Sequence, residues 1–263
     1  MSVTHRVISP HDSDSAAAGC CALAIMTKAP RAGQVKTRLT PPLTPGEAAA
    51  LNICFLRDIS AAIARVGANA SGIGCYTPVG AEEAYREIFP ENFQLIAQRD
   101  GNFGERLIFA AQDLFAVGFA SVCLINSDSP TVPTSAFAQA AKILSSPKDC
   151  VVLGPSDDGG YYLIGLKQQH RQLFAGIDWS TDRVFAQTLQ RAAELRLNVR
   201  LLPPGYDVDD CAALRRLCDD LLGPNASEKK NTAPATREFL GEIIACEGRA
   251  RIWPVEPVTL SAR

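Results

Sequence analysis

The sequence predicts an α/β protein, a three-layer α/β/α sandwich around a mainly parallel central sheet. Three observations predict it. Short apolar runs alternate with amphipathic helical segments from residue 20 to residue 222, the signature of strand–helix units in a layered fold. Apolar residues make up 47% of the 263, enough for a full core. Three of the apolar runs end in acidic turns, Asn126-Ser-Asp128, Asp157-Asp158-Gly-Gly160 and Asp207-Val-Asp209-Asp210, and in open α/β sheets ligands bind beyond the carboxyl ends of the strands.

Taken in order, Cys20 to Thr27 reads as a buried first strand, followed by a loop to Pro42. A helix follows from Pro45 to Val66, with Thr44 and Glu47 forming a capping-box pattern. Ser71 to Tyr76 and Phe93 to Ala97 read as strands, with a helical Ala81 to Ile88 between them that stops at Pro90. Gly104 to Val117 is amphipathic, presenting Leu107, Ala110, Ala111, Leu114 and Phe115 on one side. A strand to Ile125, a helix over Thr134 to Leu144, and strands over Cys150 to Leu153 and Tyr161 to Leu166 come next. Thr181 or Asp182 is placed to cap a helix running to Leu195; Val199 to Leu202 is the last core strand, and Cys211 to Leu222 is helical. The linker-like Gly223 to Asn231 precedes a helix, Thr236 to Cys246, too short to fold alone. One domain over residues 20–246 is therefore expected, between a disordered leader (1–19) and a tail (247–263).

Composition excludes several function classes. A formal net charge of -2 argues against nucleic acid or an anionic membrane as the main partner. No run of ~18 apolar residues would span a bilayer. The nine cysteines form no C-x-x-C pair, and several sit inside apolar runs. That pattern predicts reduced thiols and a cytoplasmic protein rather than a disulfide framework. Two of the three histidines lie in the leader and the third in a polar run, so a Ser-His-Asp triad is not expected.

The loop Lys28-Ala-Pro-Arg-Ala-Gly-Gln-Val-Lys36-Thr-Arg38 places lysines and arginines directly after the first strand. Lys28, Lys36 and Arg38 are candidate phosphate ligands, since arginine offers a planar fork and lysine a compact charge. A solvated basic turn is the plainer alternative. Carboxylates gathered at strand ends repel by roughly 4 kcal/mol per pair at ~4 Å and an effective dielectric of ~20. A hard divalent cation would relieve that repulsion and bring phosphate with it. Each acidic turn has a plainer role as a helix cap or, for Asp157-Asp158-Gly-Gly, as a hairpin turn. Trp179 is read either as a core residue or as a stacking surface for a base or sugar.

The ordered set Lys28-Ala-Pro-x-x-Gly33-x-x-Lys36-Thr-Arg38-Leu39, Ser127-Asp128-x-Pro130, Gly154-Pro-x-x-Asp158-Gly-Gly-Tyr-Tyr-Leu163, Trp179-Ser-Thr181 and Asp207-Val-Asp209 resembles the bacterial glycosyltransferase-like proteins known as radical-SAM/selenodomain-associated transferases. These belong to the nucleotide-diphospho-sugar transferase superfamily. The resemblance spans Ala22 to Leu222 and implies a GT-A-type fold, a bound nucleotide and a divalent metal, Mg2+ or Mn2+. It implies Asp128 and Asp209 as metal ligands, with Lys36 and Arg38 on the nucleotide phosphates. The family's Gly-Asp-Leu-Gly-Glu-Arg segment corresponds to Gly101 to Arg106, which adds Gly104 and Arg106 as candidate nucleotide-binding residues. The chain departs from the pattern at Asn126, at Asn102-Phe103 and after Asp209.

Three functions are compatible with these residues. The first is a metal-dependent transferase that takes a nucleotide sugar to a small-molecule acceptor, with Asp158 or Asp157 holding the acceptor or serving as its base. The second is a nucleotidyltransferase similar to 2-phospho-lactate guanylyltransferase, which would use a nucleoside triphosphate and release pyrophosphate. The third is a nucleotide-binding protein without turnover.

Overall fold

In the computed structural model, which describes residues 4–11, 17–224, 226 and 231–252, eight strands form one sheet in the order β1-β4-β3-β2-β5-β7-β6-β8. The strands are β1 (Arg6–Val7), β2 (Cys21–Lys28), β3 (Ala70–Thr77), β4 (Gln94–Ala97), β5 (Ser121–Ile125), β6 (Val151–Pro155), β7 (Tyr161–Leu166) and β8 (Val199–Leu201). All neighbours are parallel except β7, which runs antiparallel to both β5 and β6. The strand order is sorted by the chemistry of the runs. β2 is apolar from Cys21 to Met26 because both of its faces are covered there: Cys21, Leu23 and Ile25 enter one core while Ala22 and Ala24 enter the other.

The helices are α1 (Pro45–Ala64), α2 (Phe103–Val117), α3 (Thr134–Leu144), α4 (Val184–Glu194), α5 (Cys211–Leu222), α6 (Pro234–Glu247) and the short α7 (Arg249–Ile252). α1 and α3 share a core with one face of the sheet, and α2 with α4 covers the other. This is the expected mainly parallel three-layer sandwich. A third apolar cluster joins α1 to α5 and α6 through Leu51, Phe55, Leu214, Leu217, Leu221 and Leu240.

Several local expectations hold. Thr44 and Glu47 form a capping box on α1, and Asn102 with Glu105 forms another on α2. Others are corrected. The leader is not wholly disordered: β1 pairs with β4, and His5 is buried with its ring nitrogens against the carbonyls of Phe93 and Tyr85. The helix expected over 81–88 is a single 3-10 turn, Glu82–Tyr85. Neither Thr181 nor Asp182 caps α4, whose preceding residue is Arg183 with no side-chain cap. β8 is an edge strand with Arg200 and Leu201 exposed, because only β6 flanks it. Part of the proposed linker, residues 225 and 227–230, and residues 253–263 of the tail lie outside the described residues. The tail nevertheless begins with α7, whose Ile252 is buried and whose Arg251 holds Glu47 through two hydrogen bonds of 2.8 and 2.6 Å. All nine cysteines are free thiols. Among the described residues no helix is long and apolar enough to cross a membrane.

α6 has no cap of its own at Ala233. Asp58 of α1 supplies one instead, accepting from the backbone amides of Ala235 and Thr236 at 2.9 Å each and from the Thr236 hydroxyl at 2.6 Å. Asp58→Ala should lower unfolding stability by about 2 kcal/mol, because it strands buried amide donors; urea denaturation measures this. Arg251, with Thr44 assisting against burial, holds the Glu47 carboxyl down at about 2. Its folded value is thus below its ordinary value of 4.5, so the stabilisation is present above the ordinary value and is lost as pH falls toward the folded one. The difference in urea midpoint between wild type and Glu47→Gln should therefore shrink on acidification from pH ~5 to ~2.

Candidate functional site

The acidic turns expected at strand ends all lie on one edge of the sheet. Asp128 follows β5, Asp157 and Asp158 follow β6, and β7 runs the opposite way, which brings its first residue, Tyr161, to the same edge. After β8 the chain turns back across this edge. Gly205 donates its amide to the Pro155 carbonyl at 2.9 Å and accepts from the Asp157 amide at 3.1 Å. Val208 donates to the Asp128 carbonyl at 2.9 Å. These backbone bonds deliver Asp209 beside Asp128.

The two carboxylates meet at Lys36. Its ammonium lies 2.6 Å from Asp128 Oδ1 and 2.9 Å from Asp209 Oδ1, and it donates to the Val208 carbonyl at 2.8 Å. Only 4% of the Lys36 side chain is exposed. Burial opposes its charge, but Asp128 and then Asp209 outweigh that cost and raise its pKa. Lys36 also adopts a left-handed backbone conformation, φ 49°, unusual for a residue with a Cβ.

The sequence led us to expect Lys36 opposite the acids, free to meet phosphate. It stands between them instead, and the three donors of an ammonium are matched by its three partners. Arg38 is the available cation: its side chain is 74% exposed and reaches Asp209 Oδ2 at 3.6 Å. Lys28 is exposed at the end of β2 and, with Lys36, Arg38, Asp128 and Asp209, lines a hollow of about 250 Å³.

Asp128, Asp209 and Arg38 also border a larger cleft of about 750 Å³, within the range of small-molecule sites. Asp157 and Asp158 line it too. Asp157 pairs with Arg216 at 2.7 Å, and Asp158 Oδ1 accepts the Gly160 amide at 2.9 Å. Burial pushes the Asp207 carboxyl up to about 6, with repulsion from Asp158, Asp209 and Asp128 acting in the same direction. Asp210 caps α5 through the Ala213 amide, so the cap reading of the third turn holds for this one acid.

Gly104 and Arg106 are not brought together with the acids. Gly104 is buried beneath Trp179, where an added Cβ would stand 2.5 Å from the indole nitrogen. Arg106 donates from Nε to the Gly101 carbonyl at 2.9 Å, within its own turn. Sequence reading missed Arg216, Phe103 and Asn52. Asn52 is buried beside the small hollow, and its Oδ1 has no hydrogen-bond partner among the described residues. The signal was present as a lone amide inside the apolar Ala50-Leu-Asn52-Ile-Cys54 stretch.

Residues 65–181 match the model of a bacterial family described only as an uncharacterized conserved protein, DUF2064. A comparison with curated proteins gives no significant match. Among solved structures, a protein from Desulfovibrio desulfuricans G20, provisionally described as a nucleotide-diphospho-sugar transferase, is similar at 29% identity with a TM-score of 0.75. The match covers 86% of this chain and 95% of that one. A nucleotidyl transferase from Methanothermobacter thermautotroptrophicus shares the fold at 14% identity and a TM-score of 0.51, over 78% of this chain and 99% of that one. The fold is therefore that of nucleotide-diphospho-sugar transferases and nucleotidyltransferases.

Gly104→Ala should force Trp179 off α2. The expected cost is about 1–3 kcal/mol, with a shift in tryptophan emission at equal protein concentration; unchanged emission and stability would contradict this packing.

Proposed function

We propose that this protein is a metal-dependent transferase that uses a nucleotide-diphospho-sugar donor and passes the sugar to a small-molecule acceptor. One observation carries the reading: aspartates from turns 81 positions apart in sequence, Asp128 and Asp209, converge on a single buried ammonium at the ligand-binding edge of the sheet. The similarity to the Desulfovibrio protein over 86% of this chain supports it.

The residues present fit a divalent cation by their donor chemistry. Two hard carboxylates already face one cationic centre, and Mg2+ commonly takes one or two carboxylates with phosphate and water completing its shell. Among the described residues no third acid, cysteine or histidine completes a protein-only cage, so the remaining ligands of such a cation would come from substrate phosphate and water. Held by Asp128 and Asp209, such a cation would neutralise charge on the departing nucleoside diphosphate.

The chain's own groups divide the remaining work. Arg38, exposed at the rim, and Lys28 meet phosphate oxygens. Lys36 keeps the two acids at one point and would give up one of its three bonds for any phosphate it contacts directly. Asp158 holds the acceptor hydroxyl and takes its proton; Asp157 is the less available carboxylate because Arg216 engages it. Taken together, these roles place the diphosphate between Arg38 and the paired acids, with the acceptor beyond Asp158.

Asp128→Asn and Asp209→Asn should each weaken Mn2+-dependent binding of nucleoside diphosphates by about a hundredfold, read as loss of the ligand-induced rise in melting temperature. Product analysis with nucleotide sugars and nucleoside triphosphates decides the reaction. Release of nucleoside diphosphate is expected; release of pyrophosphate would replace glycosyl with nucleotidyl transfer, and binding without either product would leave a nucleotide-binding protein.

A further inference from the structure

The large cleft differs in character from the small hollow beside it. The hollow holds Lys28, Lys36 and Arg38. The cleft has an aromatic wall that the hollow lacks, formed by Phe103 at the start of α2 and Trp179 before α4. Their ring centroids are 5.1 Å apart, edge to face, and Trp179 rests on the buried Phe174 at 6.5 Å. Phe103 remains 57% exposed, one of four large apolar side chains left so open among the described residues.

The wall is built into the backbone on both sides. Gly104 has no Cβ where Trp179 packs. Gly159, with φ +85°, has none where the Asp182 backbone passes; a Cβ there would lie 2.1 Å from the Asp182 carbonyl oxygen. The Phe185 amide donates to the Gly159 carbonyl at 2.8 Å, which ties the acidic turn after β6 to the first turn of α4, six residues beyond Trp179.

The charge of the cleft is equally distinctive. Seven carboxylates border it, at Asp128, 157, 158, 182, 207, 209 and 210, against the guanidinium groups of Arg38 and Arg216. Arg216 is engaged by Asp157, and Arg38 faces Asp209. An anion entering beside Phe103 and Trp179 would meet a net negative field, while an uncharged polyol with an apolar ring face would find carboxylate acceptors for its hydroxyls and an aromatic surface for its ring.

We propose that the Phe103–Trp179 wall and the acidic rim opposite it form a binding subsite for an uncharged, hydroxyl-rich ring compound, and that it selects against phosphorylated or carboxylated compounds. That this ligand is the acceptor rests on the transferase reading above; that the subsite takes a neutral ring does not. On that reading a neutral acceptor brings its hydroxyl to Asp158 without adding a further anion to the acidic cleft, which favours a sugar acceptor over a phosphate one.

The test compares phenyl β-D-glucopyranoside with its 6-phosphate by calorimetry on the full chain, with EDTA present so that no cation recruits the phosphate. The neutral glucoside should bind, and the phosphate ester should bind about tenfold more weakly. Phe103→Ala, at an exposed position, should weaken the glucoside about fivefold while leaving nucleoside diphosphate affinity within about twofold, measured separately with Mn2+. Should that variant be unstable, Asp182→Asn serves instead and should narrow the gap between the two probes. No binding of the glucoside, equal or tighter binding of the phosphate ester, or a Phe103→Ala effect confined to nucleotides would overturn the proposal. Failure of nucleoside diphosphates to bind the wild type would defeat the transferase reading alone and leave the glucoside measurement standing.

Discussion

A buried ammonium between two carboxylates is the constraint on which this edge of the molecule depends. Lys36, Asp128 and Asp209 come from the segments after β2, β5 and β8, and no two are close in sequence. Without Lys36 the carboxylates would face each other at short range in a partly buried place, where repulsion is several times stronger than in water. Breaking such an arrangement by removing one partner leaves a buried charge unpaired, which is costly. The bond from Val208 to the Asp128 carbonyl brings Asp209 to this ammonium, and Lys36 meets both acids from a left-handed backbone.

The same arrangement accounts for the division of the edge into two environments. The loop after β2 brings its positive charges to one side of the paired acids, and the turns after β6 and β8 bring an excess of carboxylates over guanidinium groups to the other. A donor with a diphosphate suits the first and a neutral partner suits the second, so a proposed transfer between them would cross the line of acids. Two glycines keep the second environment in shape: where backbone or indole stands 2.1 or 2.5 Å from a Cβ position, only glycine leaves room.

Much of this was legible before any coordinates. The run from Cys20 to Thr27 announced a buried first strand, and Thr44 with Glu47 announced the start of α1, because both signals are local. The acidic turns could be placed at strand ends for the same reason. What could not be read was the route of residues 203–209 over those ends, which is set by hydrogen bonds to Pro155, Asp157 and Asp128 from far earlier in the chain. Lys36 could be recognised as a cation beside phosphate chemistry, but not as the counter-ion of the acids. Its position depends on a contact across 173 residues. The surroundings of Gly104 and Arg106 were hidden for a related reason: their spacing matches a family pattern, whereas their contacts, with Trp179 and Gly101, are set by the fold.

By itself, then, the sequence determined the layer architecture, the parallel character of most of the sheet and the list of charged groups available at its edge. Periodicity, capping and turn chemistry act over a few residues and need no partner from elsewhere. Only the tertiary structure decided which acids share a cation, that Asp58 would cap a helix following it by more than 170 positions, and that Phe103 would stand open beside Trp179. Electrostatic pairing and side-chain packing depend on distance in space, and the fold sets that distance independently of separation along the chain.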